Sequence, residues 1–306
     1  MKIFDAHCDV LMKMFLDPSI DFYNSNKLQV NMRRVTLSGL KWQMFAIYIP
    51  EAIHPELKFN AALQMIDIFY EKVLKPFPNL KLIQCKEDAE KLKEKEIGII
   101  LSLEGCDAIY NDLVKLKTLL RLGVTSVGLT WNYGNSVADG VLEDRGGGLS
   151  IFGKRVVEVL NDRKAKCDVS HLSESGFWDV MELAEYPFAS HSNCYSLCAH
   201  PRNLKDEQIL ALFKKNSVIG ITFVKEFLRE NGDITVSHII KHIEHICSLG
   251  GEDHIGFGSD FDGTDGLISG LENAGKYDFL IEELLKFYSN EQVEKFSFRN
   301  FTRIFL

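Results

Sequence analysis

Several things are scarce in this chain of 306 residues, and each absence narrows what it can be. There is no stripe of Lys and Arg. With 35 basic against 43 acidic side chains the formal net charge is −8, so a nucleic-acid partner is excluded. No uninterrupted apolar run reaches membrane-spanning length, and the start shows neither a basic n-region nor a cleavable apolar h-region. The first strand is expected from residue 2 or 3, which leaves no room for a targeting segment. A cytoplasmic protein that avoids membranes is therefore expected. A disulfide framework is missing too: seven cysteines, an odd number without framework spacing, read as reduced thiols. Cys8 reads as a packed core thiol. No glycine fingerprint follows the first strand, which removes a dinucleotide-binding fold. Gly146-Gly147-Gly148 lacks the following Lys-Ser/Thr of a phosphate loop. No linker or break in composition divides the chain, so residues 1–306 are expected to form one domain.

What is present is ordinary globular material, 46% hydrophobic and 25% charged, arranged in a repeating alternation. Ile3 begins a short apolar strand, and residues 10–38 read as an irregular polar insertion. Strands are expected at 39–49, 97–103, 124–130, 166–170, 187–190, 217–223 and 254–259, with a small extra one at 80–84. Helices are expected at 57–74 (stopped by Pro76 and Pro78), 86–95, 113–122, 151–164, 175–186, 204–215 and 235–248. Two more, at about 276–288 and 290–305, close the chain. The run Ile97 to Leu103 is nearly all apolar, as in a strand buried on both faces of a parallel sheet. Eight βα units in about 300 residues fit a (β/α)₈ TIM barrel of the α/β class better than an open doubly wound sheet.

In such barrels the chemistry sits at the C-terminal ends of the strands. His7 and Asp9, two apart, point the same way at the end of the first strand. Glu104 ends the 97–103 strand, His171 and His191 end the next pair that carry histidine, and Asp260 ends the last. A carboxylate buried there is costly unless it is paired or metal-bound. Three histidines with two or three carboxylates exceed what one zinc needs. A pair of metals roughly 3.5–4 Å apart would use them all, with Glu104 as the natural bridge. His238, His242 and His245 share the spacing of a chelating helix face, but the helix is amphipathic and they read as exposed. His54 and His254 have no partners, and His200 reads as a loop residue.

The blocks His7-Cys8-Asp9, Glu104 in LSLEG, Asp168-Val169-Ser170-His171, Ser190-His191-Ser192-Asn193 and Gly258-Ser259-Asp260-Phe261-Asp262-Gly263 resemble the renal (membrane) dipeptidase family. That family belongs to the binuclear-zinc amidohydrolases on a (β/α)₈ barrel. The resemblance implies two zinc ions per chain, His7, Asp9 and Glu104 holding one and Glu104, His171 and His191 the other. It implies a metal-bridging hydroxide as nucleophile, Asp260 as the proton-transfer carboxylate and Arg202 as the receptor for a dipeptide's C-terminal carboxylate. It also implies substrates with a C-terminal D-residue, and a homodimer. Trp131 stands where mammalian members carry a His near the substrate carbonyl. It is expected either to donate its indole N–H there or to act as a pocket wall while Asn132 and zinc polarise the oxygen. The other readings weighed are an amide, lactam or lactone hydrolase on the same site, and a non-catalytic metal-binding relative.

Overall fold

A computed structural model describes residues 1–266 and 268–305. Nine parallel strands lie among these residues: β1 (Ile3–Asp5), β2 (Leu40–Tyr48), β3 (Leu80–Leu82), β4 (Ile97–Glu104), β5 (Val124–Gly128), β6 (Lys166–Asp168), β7 (Pro187–Phe188), β8 (Ile219–Ile221) and β9 (Ile255–Phe257). Eight run round a ring in which β1 pairs with both β2 and β9. The seam between β7 and β8 closes one residue past the strand end. There the Ala189 N–H donates to Val218 (3.1 Å) and the Gly220 N–H to Ala189 (2.8 Å). With helices between the strands, this is the expected (β/α)₈ barrel. The small extra strand β3 pairs with the first residues of β4, below the point where β5 takes over.

Alternation along the strands divides the apolar side chains between two layers. Ile3, Phe45, Ile99 and Leu101 face the helices in the larger core. Phe4, Trp42, Met44 and Ile100 point the other way and meet Phe188, Val218 and Phe301 in a second cluster. The Phe301 ring, from the last helix (Asn300–Phe305), lies 5.0 Å from Phe4 and 6.3 Å from Phe188. The barrel is thus plugged with aromatic residues from its N-terminal end. Polar side chains are left to the opposite mouth.

Two expectations are corrected. Residues 10–38 are not wholly irregular: Val10–Leu16 and Met32–Leu37 are helices. The first buries Val10, Leu11 and Met14 along one side. The second is started by Asn31, whose side chain accepts the Arg34 N–H at 2.9 Å. Their shortness hid the 3.6-residue period, which needs several turns to show. The other correction is His242. In the helix Val236–Ser248 it is not exposed but 1% accessible, while His238 and His245 remain toward the surface. Its Nδ1 accepts the Cys194 N–H at 3.0 Å and its Nε2–H donates to Leu228 O at 3.1 Å. A neutral imidazole satisfies both bonds. The ring therefore belongs to the isoleucine face, where its two nitrogens finish a loop that apolar side chains could not.

Burial holds the His242 pKa down to about 4. The unfolded chain takes up this proton near pH 6.5, so stability is complete above that value and is lost as pH falls from 6.5 toward 4, by about 3 kcal/mol. Denaturant unfolding of His242→Gln should show a shallower acid limb over this range than the parent. Parallel limbs would show that His242 does not control it.

Candidate active site

At the open mouth, residues from five strand ends come together. His7 and Asp9 follow β1, Glu104 is the last residue of β4, His171 follows β6, His191 follows β7 and Asp260 follows β9. His7 Nε2 lies 3.2 Å from Asp9 Oδ2, 3.4 Å from Glu104 Oε2 and 3.8 Å from Asp260 Oδ1. The other oxygen of the same Glu104, Oε1, lies 3.0 Å from His171 Nε2 and 3.7 Å from His191 Nε2. The carboxylate is thus shared, one oxygen to each side. His171, Asp260 and Asp262 all carry positive φ, a backbone state that non-glycine residues occupy at a cost, and one that clusters at functional sites.

Hydrogen-bond partners fix the imidazole tautomers. His171 Nδ1 faces Asn132 Oδ1 at 2.8 Å; Oδ1 only accepts, so Nδ1 carries the proton. Ser190 Oγ donates to Asp168 Oδ2, which leaves it to accept from His191 Nδ1 at 2.6 Å. Both Nε2 atoms are therefore bare lone pairs, yet they stand 2.8 Å apart. Two lone pairs at that separation repel unless a cation lies against both. His7 Nε2 and Asp9 Oδ1 are buried with no hydrogen-bond partner among the described residues. These features are what a metal-binding donor set requires: unprotonated nitrogens, bare carboxylate oxygens and second nitrogens held by acceptors.

The charge balance agrees. Burial alone would lower His7, but the Glu104 and Asp9 carboxylates outweigh it and raise its pKa well above the usual value. Burial would raise Glu104, but the His7 charge outweighs it, and with His171 beside it the carboxyl is held well below the usual carboxylate range. His171 is pushed down to about 3, by burial first and then by Arg202, and His191 falls well below 6.5 for the same reasons joined by His7. Asp260 is raised to about 7, chiefly by burial, with Asp9 and Glu104 adding to it against His7 and Arg202. In the absence of a metal, a proton on His7 does part of a cation's work.

Other expected residues are nearby. Arg202 is 4% exposed. It spends one N–H on His191 O (3.1 Å), lies over the Phe227 ring and keeps a buried, unpartnered Nε. A cavity of about 440 Å³ runs from His171 and Ser192 past Arg202 to Tyr195. A second, of about 220 Å³, is walled by Tyr48, Glu104, Trp131 and Tyr133. The Trp131 ring packs between Tyr48 (5.1 Å) and His171 (5.9 Å). Asn132 is committed through Oδ1 to His171. His200 accepts the Arg202 N–H and stacks on Phe227, and His254 donates to Ser217 O. Neither joins the cluster.

The supports were not foreseen. Asp5 accepts from Ser259 N and Oγ at 2.8 and 2.7 Å, tying the end of β1 to the loop that carries Asp260. Asp262 accepts the N–H groups of Gln29 and Val30 at 2.8 and 2.9 Å, which clamps the 10–38 insertion against that loop. Gly263 is hydrogen-only by necessity, because a Cβ would run into Asp260 Oδ1 and Asp9 Oδ2. The signal available was the pairing of small or acidic residues with each ligand, Asp168 and Ser190 beside the histidines and Asp262-Gly263 beside Asp260.

A family model described as membrane dipeptidase, peptidase family M19, matches residues 1–306. The chain belongs to that family. It is 32% identical over 254 residues to an uncharacterized protein of the pqqA 5′ region of Klebsiella pneumoniae, covering 79% of this chain and 93% of that one. It is 29% identical to an uncharacterized dipeptidase of Schizosaccharomyces pombe, over 99% of this chain and 79% of the relative. Among solved structures it superposes on a metallopeptidase from Rhodobacter sphaeroides liganded with a phosphinate mimic of L-Ala-D-Ala, with TM-score 0.93, 25% identity and coverage of 100% and 98%. An M19 dipeptidase matches with TM-score 0.91 and 26% identity over 100% and 98% of the two chains. This protein is accordingly a metallo-dipeptidase, and no helix among the described residues is long and apolar enough to cross a membrane.

Ser190 is the sharpest test of the ligand geometry in this dipeptidase, since it links Asp168 to His191. Ser190→Ala should weaken metal affinity by about 10–100-fold while leaving the thermal unfolding of the metal-free protein within a few degrees. Unchanged affinity in a competition titration with a chelating dye would remove the relay.

Proposed function

We propose that the chain hydrolyses the peptide bond of dipeptides, including those with a C-terminal D-residue, with two zinc ions per chain. The observation that carries this reading is Glu104, whose two oxygens face two separate groups of nitrogen and oxygen donors. His7, Asp9 and Glu104 would hold one ion, and Glu104, His171 and His191 the other. When bound, such ions acidify water and polarise a carbonyl.

The remaining work falls to the protein's own groups. Asp260, with a carboxylate oxygen 3.8 Å from His7 Nε2, is placed to take a proton and return it to the leaving amine. Arg202 has guanidinium donors to spare beside His171, which suits it to a substrate carboxylate, bound as a planar fork. Asn132 and the Ser190–Asp168 pair keep His171 and His191 in the tautomers that expose Nε2. The packing of Trp131 between Tyr48 and His171 supports the wall role over that of a free donor. Reading the R. sphaeroides ligand across to this chain supports a D-residue at the C-terminal position. Seven free cysteines fit a reducing cytoplasm.

Asp260→Asn should cut kcat by about 10²–10⁴-fold with metal content, read by elemental analysis, near two equivalents as in the parent. Near-normal turnover would reassign the proton transfer. A panel of dipeptides with L and D C-terminal residues, their C-terminal amides, and simple lactams and lactones tests the substrate class. Free-acid dipeptides should be preferred over amides by roughly ten- to a hundredfold, the worth of a charged hydrogen bond, and Arg202→Ala should abolish that preference. Faster turnover of the lactams or lactones would favour the other amidohydrolase reading.

A further inference from the structure

A wide cavity lies far from the chemistry. A bowl of about 730 Å³ opens at the N-terminal end of the barrel, bounded by the starts of β6 and β7, the loop before β8 and the final helix. In a chain with a net charge of −8, six cationic side chains line it: Lys86, Arg163, Lys164, Lys166, Lys215 and Arg303. Only Glu87 and Glu185 oppose them. Lys166, the first residue of β6, is half-buried. Its ammonium lies over the rings of Tyr186 (4.7 Å) and Phe305 (5.7 Å) and has no carboxylate partner among the described residues. Burial pushes its pKa down to about 8. On the neighbouring strand, Thr125 lines the same bowl, and its buried hydroxyl has no hydrogen-bond partner among the described residues.

A half-buried ammonium without a counter-charge carries a desolvation cost. The aromatic rings offset part of the cost, and an anion would offset the rest. Arg163 and Lys164, on the rim, form no ion pair among the described residues. Cations thus outnumber carboxylates around the bowl, which favours an anion there. A concave pocket of this size admits a small molecule rather than a macromolecular surface, and several spread cations suit several negative charges. We propose that this bowl is a binding site for a small, multiply charged anion of the phosphate class, held by Lys166 at the floor and by Arg163 and Lys164 at the rim. The site lies at the opposite end of the barrel from the His7–Glu104–His191 cluster.

Inorganic pyrophosphate is a suitable probe, with the metal-loaded enzyme and ionic strength matched by potassium chloride. Limited lysine acetylation read peptide by peptide should show Lys164, Lys166 and Lys215 protected severalfold by pyrophosphate, with Lys72 and Lys154 unchanged. This readout ignores any pyrophosphate bound at the metals, because those lie at the other end of the barrel. Calorimetric titration should show one saturable event weakened about tenfold or more in Lys166→Met, and a separate event at the metals that the substitution leaves alone. Arg163→Ala with Lys164→Ala, on exposed positions, should weaken the same event and serves if Lys166→Met does not fold. No local protection, equal protection of all lysines, or unaltered affinity in the variants would overturn the site.

Discussion

The cost of burying charge governs this molecule. Asp9, Glu104 and Asp260 lie together with three imidazoles in a mouth that gives them little water. Ionised carboxylates in such surroundings are stable only against cations. Protons can meet part of that demand, as the raised His7 shows, but burial and the neighbouring charges of Arg202 and His7 disfavour one between His171 and His191. Divalent ions would answer both problems at once, accepting the bare Nε2 lone pairs and cancelling the carboxylates. The metal dependence of the family is thus legible as an electrostatic debt in the protein itself.

The barrel makes that concentration of charge affordable by rigidity. Each candidate ligand is the terminal residue of a strand or lies within four residues of one, so its Cα is held near the ladder that closes the ring. Below the ligands the interior is dry and aromatic, with Phe4, Phe188 and Phe301 in contact. Around them, loops are tied by buried carboxylates outside the candidate ligand set: Asp5 to Ser259, Asp168 to Ser190, Asp262 to Gln29 and Val30. Each of these accepts two or more N–H or O–H donors, the condition under which a buried carboxylate is tolerated.

Much of this was readable from the chain because strand-end ligands follow apolar runs that announce themselves. Glu104 after Ile97 to Leu103 is the clearest case, and the eight-strand ring followed from counting such runs. What escaped was whatever depends on distant partners. The short helices of the insertion carry too few turns to show a period, and their place is set by Asp262, more than 230 residues away. His242 looked exposed because its neighbours Lys241 and Glu244 are charged. Its partners, Cys194 and Leu228, lie on other elements, so nothing local marked it as buried. Asn132 is expected near the substrate carbonyl, and only coordinates show that its Oδ1 also faces His171 Nδ1.

The two cavities beside the cluster are electrostatically unlike, and this bears on how a dipeptide would lie. The smaller one is walled by Glu104 with Glu51 and Asp107 near its rim, and its cation, Lys58, is held by Asp107 at 2.9 Å. The larger one has Arg202 at its base, with donors unspent. An ammonium group is favoured in the first and a carboxylate in the second, and reversing the substrate would set like charges together in both. The scissile carbonyl of a dipeptide lies between its two charged ends, so the favoured orientation puts it over Glu104 and the ligands around it. A longer peptide would have to extend one end past these walls and would leave a charge-selecting pocket facing a neutral amide, which costs the unpaired group its partner. The restriction to dipeptides is therefore consistent with the spacing of two opposite charges across one shared carboxylate.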